Sequence, residues 1–422
     1  MPLVFGILAI LAIGLTGGWQ PLVVIGSVAV MIFLHELGHF LTAKWAGMKV
    51  TEFFLGIGPK LWSFRRGETE YGIKAIPVVA YVRVVGMSNL EDVDPADEAR
   101  TYRQQPYWRR MSVAVAGSTM HFLMVLLCIF LVLVFHGRPG GTSLFPTEKQ
   151  FLRAEDAAAT APDWVVIVTD GGPAQKAGIR SGDHLVSFDG EQVKNFDALK
   201  DLVLPRKGDT VPVVVERDGR ERTIDVKIGA RDDDESKGFL GVGPSLRPVH
   251  YGVVDGAGRT FVEFGNGVVA TVASVRQIFS PSGISDLADQ VANPNTTSTS
   301  EEPTGSTTKP GEEAGPRQRP VSIFGAIGIG ADFLREGWIG LIYFLAILNV
   351  FVGVFNLIPL LPLDGGHVAI ATYERIRSRK GRRYHADVAK LLPLTYVVVL
   401  ALVLLGVASL YLDILDQVTA SN

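Results

Sequence analysis

Four long apolar runs most constrain what this 422-residue chain can fold into. A helix needs roughly 20 apolar residues to cross about 30 Å of hydrocarbon, and only helices and closed barrels satisfy their backbone polar groups there. The runs lie at residues 21–46, 111–136, 338–363 and 391–412. We therefore predict a polytopic α-helical membrane protein with four spans. The apolar stretch 2–16 is short for a span, and it is either a fifth span or an extension of the first.

Charge predicts how these spans are oriented. Basic residues are concentrated in the loops that join spans one and two and spans three and four, and cytoplasmic loops carry an excess of Lys and Arg. We expect both loops to be cytoplasmic and the region 140–335 to lie outside. The net charge of −3 gives no global basic character that would favour nucleic-acid binding. The single cysteine, Cys128, excludes an intramolecular disulfide and does not indicate the compartment.

The outer region is predicted to contain a small α+β domain at residues 157–230. Short β-rich runs, among them 164–168 and 211–215, are bounded by turn signals. Residues 173–183 and 185–190 resemble the corresponding segments of a PDZ domain, a module that binds extended peptides by adding a strand to a sheet edge. The alternative is a β-domain without a ligand, which serves as a plug or spacer.

Two further segments lie between this domain and the third apolar run. In residues 253–291 the apolar side chains have the spacing of a helix with one apolar face. That pattern fits a helix on the membrane surface or an ordinary packed helix. Residues 292–320 are rich in Ser, Thr, Glu, Gly and Pro and contain almost no apolar residue, so we predict a flexible linker there.

The first apolar run contains His-Glu-Leu-Gly-His at residues 35–39. Because positions i and i+4 fall on one face of a helix, His35 and His39 can bind the same metal ion. Glu36 lies beside them and can take a proton from water that the ion activates. The alternative is that both histidines mark the interfacial end of the span. Unpartnered ionisable groups inside a membrane cost several kcal/mol, which favours the metal site.

A catalytic zinc site needs a third protein ligand and one open position. Asp364 ends the third apolar run, and Pro359 and Pro362 break the helix just before it. We expect Asp364 to be the third ligand, although it could instead cap a helix end. His367 is a lower-ranked candidate, since it lies further towards the basic loop. His121, in the second span, either lines the site or forms a hydrogen bond to a neighbouring helix.

In combination these motifs resemble the site-2 protease family of intramembrane zinc metalloproteases, and most closely its bacterial PDZ-containing branch, the actinobacterial regulators of intramembrane proteolysis. The motifs that carry the resemblance are residues 35–39 and 363–365. Residues 56–59 and 81–87 are similar to the family's membrane-associated β-hairpin. There the resemblance implies a strand edge that holds an unwound substrate segment; the alternative is a purely structural hairpin. Residues 116–121 of span two depart from the family's Gly-Pro and asparagine pattern.

The resemblance also implies a role for each residue of the motifs. His35, His39 and Asp364 would be the zinc ligands. Glu36 would be the general base and later the acid that protonates the leaving amine. Asn356 would contact the substrate backbone or the developing oxyanion; its alternative role is an interhelical hydrogen bond.

The activity that the resemblance implies is cleavage of transmembrane segments in regulated intramembrane proteolysis. The expected substrates are single-pass membrane proteins, such as anti-sigma factors, after a first cleavage outside the membrane. The expected location is the bacterial plasma membrane, with the PDZ domain outside and the active site near the cytoplasmic face. The rival interpretations are a non-catalytic PDZ scaffold, a transporter and a different class of membrane metalloprotease. A scaffold would bind no zinc and would not need Glu36.

The expected organisation therefore has nine parts in chain order. They are an N-terminal apolar segment with the first span (1–46), a cytoplasmic loop with the β-hairpin (47–110), the second span (111–137), the PDZ domain (157–230), the amphipathic helical segment (253–291), the flexible linker (292–320), the third span with Leu-Asp-Gly (338–367), a basic cytoplasmic loop (368–390) and the fourth span (391–412).

Overall fold

A computed structural model describes most of the chain. The apolar stretch 2–16 and nearly all of the predicted linker, residues 293–320, lie outside the described residues. Within the described part, four helices of 19 to 29 residues are long and apolar enough to cross a membrane. The protein is therefore a polytopic membrane protein, and a β-rich region accompanies its spans. The described ranges are 18–87, 91–139, 143–145, 159–161, 164–169, 171–217, 219–230, 236–246, 248–292, 321–378 and 384–420.

The first two spans approach each other closely. Helix α1 (Gln20–Trp45) has a proline in its first turn, where the missing N–H is not needed. Helix α2 (Tyr107–Phe135) forms the second span. A Cβ atom on Gly38 of α1 would lie 2.8 Å from the carbonyl oxygen of Ala116 on α2. Glycine at residue 38 thus allows the two backbones to come together.

Between these spans lies a long hairpin of β1 (Val50–Arg66) and β2 (Thr69–Val84). Both strands bend, so that Phe53 of β1 pairs with Tyr71 on one side and with Val82 on the other. The hairpin is consequently a sheet of four segments, in the order 60–66, 69–74, 50–57 and 76–84. In the described pairings the segment 76–84, here called the edge segment, has a neighbour on one side only.

An ion-pair cluster attaches the hairpin turn to the end of α1. Glu68 lies beside the turn and accepts hydrogen bonds from Arg100 at 2.7 and 2.8 Å and from Lys44 at 2.8 Å. Arg100 first, and then Lys44, lower the pKa of Glu68 to about 2. The carboxylate is therefore charged at neutral pH and holds the hairpin against the first span.

Residues 132–266 form a second compact unit. It contains a four-stranded antiparallel sheet whose strands, in spatial order, are residues 191–192, 184–188, 210–217 and 220–227. Its core is apolar and includes the fully buried side chains of Trp164, Phe188 and Leu199. The elements of this unit are β3 (Arg138–Pro139), β4 (Trp164–Val168), α3 (Pro173–Ala177), β5 (His184–Phe188), β6 (Glu191–Gln192), α4 (Phe196–Val203), β7 (Thr210–Arg217), β8 (Arg220–Lys227), β9 (Gly229–Ala230), β10 (Gly238–Phe239), β11 (Val242–Leu246) and β12 (Pro248–Val249).

The rest of the described chain is helical, and two of its elements differ from the expected boundaries. The amphipathic segment 253–291 is two helices that separate at Pro281, since proline cannot continue the first one. The third span ends at Asn356, and a new helix starts at Asp364 after a tight turn. The helices are α5 (Val253–Ile278), α6 (Pro281–Ala292), α7 (Ile323–Glu336), α8 (Trp338–Asn356), α9 (Asp364–Arg377) and α10 (Leu392–Ala420).

Candidate metal centre

Helix α1 places the two histidines of its motif on one face. The Nε2 atoms of His35 and His39 are 3.2 Å apart. Their rings are 4.8 Å apart between centroids and lie edge to face. Both side chains are largely buried. The i, i+4 spacing therefore gives two nitrogen ligands that point to one position.

Asp364 comes to this pair from a distant part of the chain. Its Oδ2 atom lies 3.5 Å from Nε2 of His35 and 3.4 Å from Nε2 of His39. Asp364 is the first residue of α9, and the residue at the capping position, Leu363, has no side-chain cap. Oδ2 is buried and makes no hydrogen bond of acceptable geometry. The carboxylate thus faces the histidine pair instead of capping its helix.

Two glycines explain how the chain brings Asp364 here. The turn after α8 folds back so tightly that a Cβ atom on Gly365 would lie 2.2 Å from the carbonyl oxygen of Ile358. A Cβ atom on Gly366 would lie 2.7 Å from the backbone nitrogen of Leu361. Only residues without a side chain fit beneath the end of α8. The Asp-Gly-Gly sequence therefore presents the carboxylate at the N-terminal end of α9.

The three ligand atoms fit a zinc ion. Zinc binds His nitrogen and carboxylate oxygen at about 2.0–2.1 Å in tetrahedral geometry, so its ligand atoms are about 3.3–3.4 Å apart. The three observed separations are 3.2, 3.4 and 3.5 Å. Among the described residues, these are the three whose ligand atoms lie within 4.8 Å of one another, and His367 is not one of them. Three ligands leave a fourth position open, which is typical of a catalytic site.

Helix α2 fixes the orientation of the imidazoles. Nδ1–H of His39 donates to the carbonyl oxygen of Val113 at 2.7 Å, which leaves Nε2 with its lone pair towards the metal position. Gly117, one turn further along α2, lies directly against both rings. A Cβ atom there would be 2.2 Å from Cε1 of His35 and 2.5 Å from Nε2 of His39. Residues 116–121, which depart from the family pattern, therefore border the metal position. Glycine at 117 leaves room for the two imidazole rings.

Glu36 lies between the metal position and the hairpin. Its Oε1 atom is 3.9 Å from Nε2 of His35. Its Oε2 atom accepts a hydrogen bond from the backbone N–H of Val82, at 3.1 Å. One carboxylate oxygen thus faces the site and the other is held by the edge segment. Glutamate at 36 is correctly placed to exchange a proton with a group at the open position.

His121 packs behind the site together with Asn349, a partner that the sequence did not indicate. The ring of His121 on α2 lies 5.0 Å from that of His35, between centroids. Its Nδ1–H donates to Oδ1 of Asn349 on α8, at 2.8 Å. The amide nitrogen of Asn349 donates to the carbonyl oxygen of Leu345, which fixes which end of the amide faces the ring. His121 therefore makes the interhelical hydrogen bond expected for it and also packs against a candidate ligand.

Asn356 lies on the same face of α8 as Asn349. The two residues are seven positions apart, which is close to two full helical turns. Gly353, between them, contacts α2 so closely that a Cβ atom would be 2.7 Å from the ring of Phe122. Asn356 is half-buried at the last position of the helix. It therefore faces the same side of the bundle as the residues that support the site.

A buried ion pair connects the N-terminal end of α2 with the C-terminal part of α9. The guanidinium of Arg110 donates to Glu374, whose side chain is 2% exposed. The other carboxylate oxygen of Glu374 accepts from the backbone N–H of Ala386 at 2.7 Å. This pair fixes the helix that carries Asp364 against the helix that carries His121 and Gly117.

Comparison with known proteins identifies the family of the chain. The profile of peptidase family M50 matches residues 23–403. The chain belongs to peptidase family M50. This M50 peptidase is 34% identical over 398 residues to the zinc metalloprotease Rip1 of Mycobacterium tuberculosis H37Rv, across 89% of this chain and 92% of that protein. It is 33% identical over 401 residues to zinc metalloprotease Rip1 of Mycolicibacterium smegmatis, across 88% of this chain and 91% of that protein.

The family and its named relatives settle the class of enzyme. This M50 peptidase is a zinc metalloprotease of the site-2 type, and zinc is its cofactor. Its four apolar helices place it in the membrane, so that its substrates are membrane proteins. The resemblance found in the two short motifs is thus confirmed over most of the chain.

Proposed function

We propose that His35, His39 and Asp364 ligate the catalytic zinc and that Glu36 is the general base. The observation that carries this proposal is the convergence of three ligand atoms from two distant helices at tetrahedral spacing. When bound, zinc supplies Lewis-acid chemistry: it polarises a carbonyl and lowers the pKa of water to about 7.

The protein residues supply binding, orientation and proton transfer. Oε1 of Glu36 takes a proton from the attacking water and later gives it to the leaving amine. Its partner oxygen stays on the N–H of Val82, so the carboxylate does not swing away from the site. Nδ1–H of His39 on Val113 keeps that ring in the tautomer a ligand needs. Asn356, at the end of the supporting face of α8, contacts the substrate backbone or the developing oxyanion.

The substrate enters as an extended segment along the edge segment of the hairpin. A transmembrane helix hides its peptide bonds in its own hydrogen bonds, so it must unwind before a carbonyl is accessible. A strand edge provides replacement hydrogen bonds for the unwound backbone. The hairpin also exposes several large apolar side chains, including Leu61, Trp62 and Phe64 at 46 to 59%, which suits contact with lipid.

We further propose a place for this activity in the cell. Residues 157–230 form a PDZ domain outside the membrane that restricts access by untrimmed substrates, and the active site lies near the cytoplasmic face of a bacterial plasma membrane. The support is the four-stranded antiparallel sheet with two short helices and the excess of basic residues in the two predicted cytoplasmic loops. The substrates are then single-pass proteins, such as anti-sigma factors, that a first protease has shortened in regulated intramembrane proteolysis.

The substitution Glu36→Gln tests the catalytic assignment. It keeps the size of the side chain and the acceptor for Val82 but removes the base. We expect one zinc per chain, measured by mass spectrometry of the purified protein, and a loss of cleavage of a single-span reporter by a factor of at least about 10². Cleavage at the wild-type rate would overturn the assignment of Glu36 as the general base.

A further inference from the structure

The hydrogen bond between Glu36 and Val82 joins the candidate base to the strand that is proposed to receive the substrate. Val82 lies on the edge segment, and its N–H donates to Oε2 of Glu36 at 3.1 Å. The side chain of Val82 packs on a buried cluster that includes Ala43 of α1. That cluster joins α1 to both strands of the hairpin, so it holds the amide of Val82 against the helix that carries Glu36.

The register of the hairpin shows which other amides face the same way. In an antiparallel ladder, N–H groups of alternate residues point to the same side. Since the N–H of Val82 points away from β1, its pairing with Phe53 is of the non-hydrogen-bonded kind. Ala80 pairs with Leu55, two residues along both strands. The N–H of Ala80 therefore also points away from β1, towards the outer edge. Ala80 itself is only 3% exposed, so a substrate strand reaches this N–H only by displacing the residues that cover it.

We propose that the Val82 N–H positions Glu36 and that a substrate strand pairs with this edge through Ala80 instead. The inference rests on the proposed function and adds a division of tasks along one edge. Val82 is a positioning residue, because it acts through Glu36. The backbone hydrogen bonds between enzyme and substrate are then interrupted at Val82, and the peptide bond to be cleaved lies beside this residue.

Proline substitutions separate the two tasks. Proline removes a backbone N–H and is tolerated at outward-facing positions of edge strands. For Val82→Pro we expect kcat to fall roughly 10- to 100-fold, the effect of losing a hydrogen bond to a charged group, with KM within about threefold. For Ala80→Pro we expect the reverse, an increase in KM at nearly unchanged kcat. Val82→Ala retains the N–H and should restore most of kcat, which separates the backbone from the side chain.

Two measurements that do not depend on turnover accompany the kinetics. Both proline variants should retain one zinc per chain and a protease-resistant hairpin. Amide hydrogen exchange resolved to single residues should show at least about tenfold faster exchange at Val82 in the Glu36→Ala variant, with Ala80 unchanged. This measurement keeps the inference testable even if Val82→Pro fails to fold.

Different results would overturn different statements. Wild-type kcat in folded Val82→Pro, a KM effect of Val82→Pro equal to that of Ala80→Pro, or unchanged exchange at Val82 in Glu36→Ala would each refute the division of tasks. If Glu36→Gln is inactive while Val82→Pro behaves like Val82→Ala, this inference alone fails. If Glu36→Gln cleaves normally, the proposed function itself fails.

Discussion

Replacing Gly117 by alanine should remove zinc without unfolding the protein. The added Cβ atom would lie 2.2 Å from Cε1 of His35 and 2.5 Å from Nε2 of His39. Ordinary van der Waals contact begins at 3.4 Å, so the rings or α2 must move by about 1.2 Å. Metal–ligand distances tolerate changes of about 0.2 Å, and a misplacement of about 1 Å costs roughly 10²-fold in rate.

The assay compares Gly117→Ala with a matched substitution on the neighbouring span. Gly26 lies within α1, and a Cβ atom there would meet nothing within 4 Å. Alanine is favoured over glycine inside helices by up to about 1 kcal/mol, so neither change should lower helix stability by itself. We expect Gly26→Ala to retain one zinc and wild-type turnover, and Gly117→Ala to lose most of its zinc and roughly 10²-fold in kcat/KM. Full zinc content and turnover within threefold in Gly117→Ala would refute the packing argument.

Three further substitutions test the supports of the site. Glu374→Ala leaves a buried guanidinium without its partner and should lower the free energy of unfolding by about 3–5 kcal/mol in a denaturant titration, whereas Asp332→Ala, in an exposed pair, should cost less than about 1 kcal/mol. Asn349→Ala leaves the Nδ1–H of His121 unsatisfied and should cost about 1–3 kcal/mol in the same titration. The folded-state pKa of Glu68 is about 2, below its ordinary 4.5. The stabilisation of the hairpin by this carboxylate is therefore complete above about pH 4.5 and is lost as the pH falls towards 2. Proteolysis of the hairpin should accelerate across that window in the wild type and show no such step in Glu68→Gln.

Local sequence patterns predicted the elements that depend on few neighbours. The four spans follow from apolar length, and the helical face shared by His35 and His39 follows from the period of 3.6 residues. The end of the third helix before Asp364 follows from the two prolines. The third span was nevertheless expected to continue beyond Asn356, where the helix ends. The chain there folds back under α8, a turn that depends on the tertiary contact made by Gly365.

The residues that sequence reasoning missed act through tertiary contacts. Asn349 is one polar residue in an apolar run, and its partner His121 is 228 positions away. Val82 contributes a backbone N–H, which no side-chain pattern reveals. Gly117 acts through the absence of a Cβ atom, which would collide with the rings of His35 and His39. Two signals were available: a lone asparagine inside a span needs a partner, and a glycine within an apolar helix indicates close approach of another group.

X-ray absorption at the zinc K-edge of the purified peptidase would identify the ligands of the metal. We expect one zinc per chain with nitrogen and oxygen neighbours at about 2.0–2.1 Å, two of them imidazoles, and loss of this signal in Asp364→Ala. A sulfur neighbour, or an unchanged spectrum and zinc content in Asp364→Ala, would contradict this expectation.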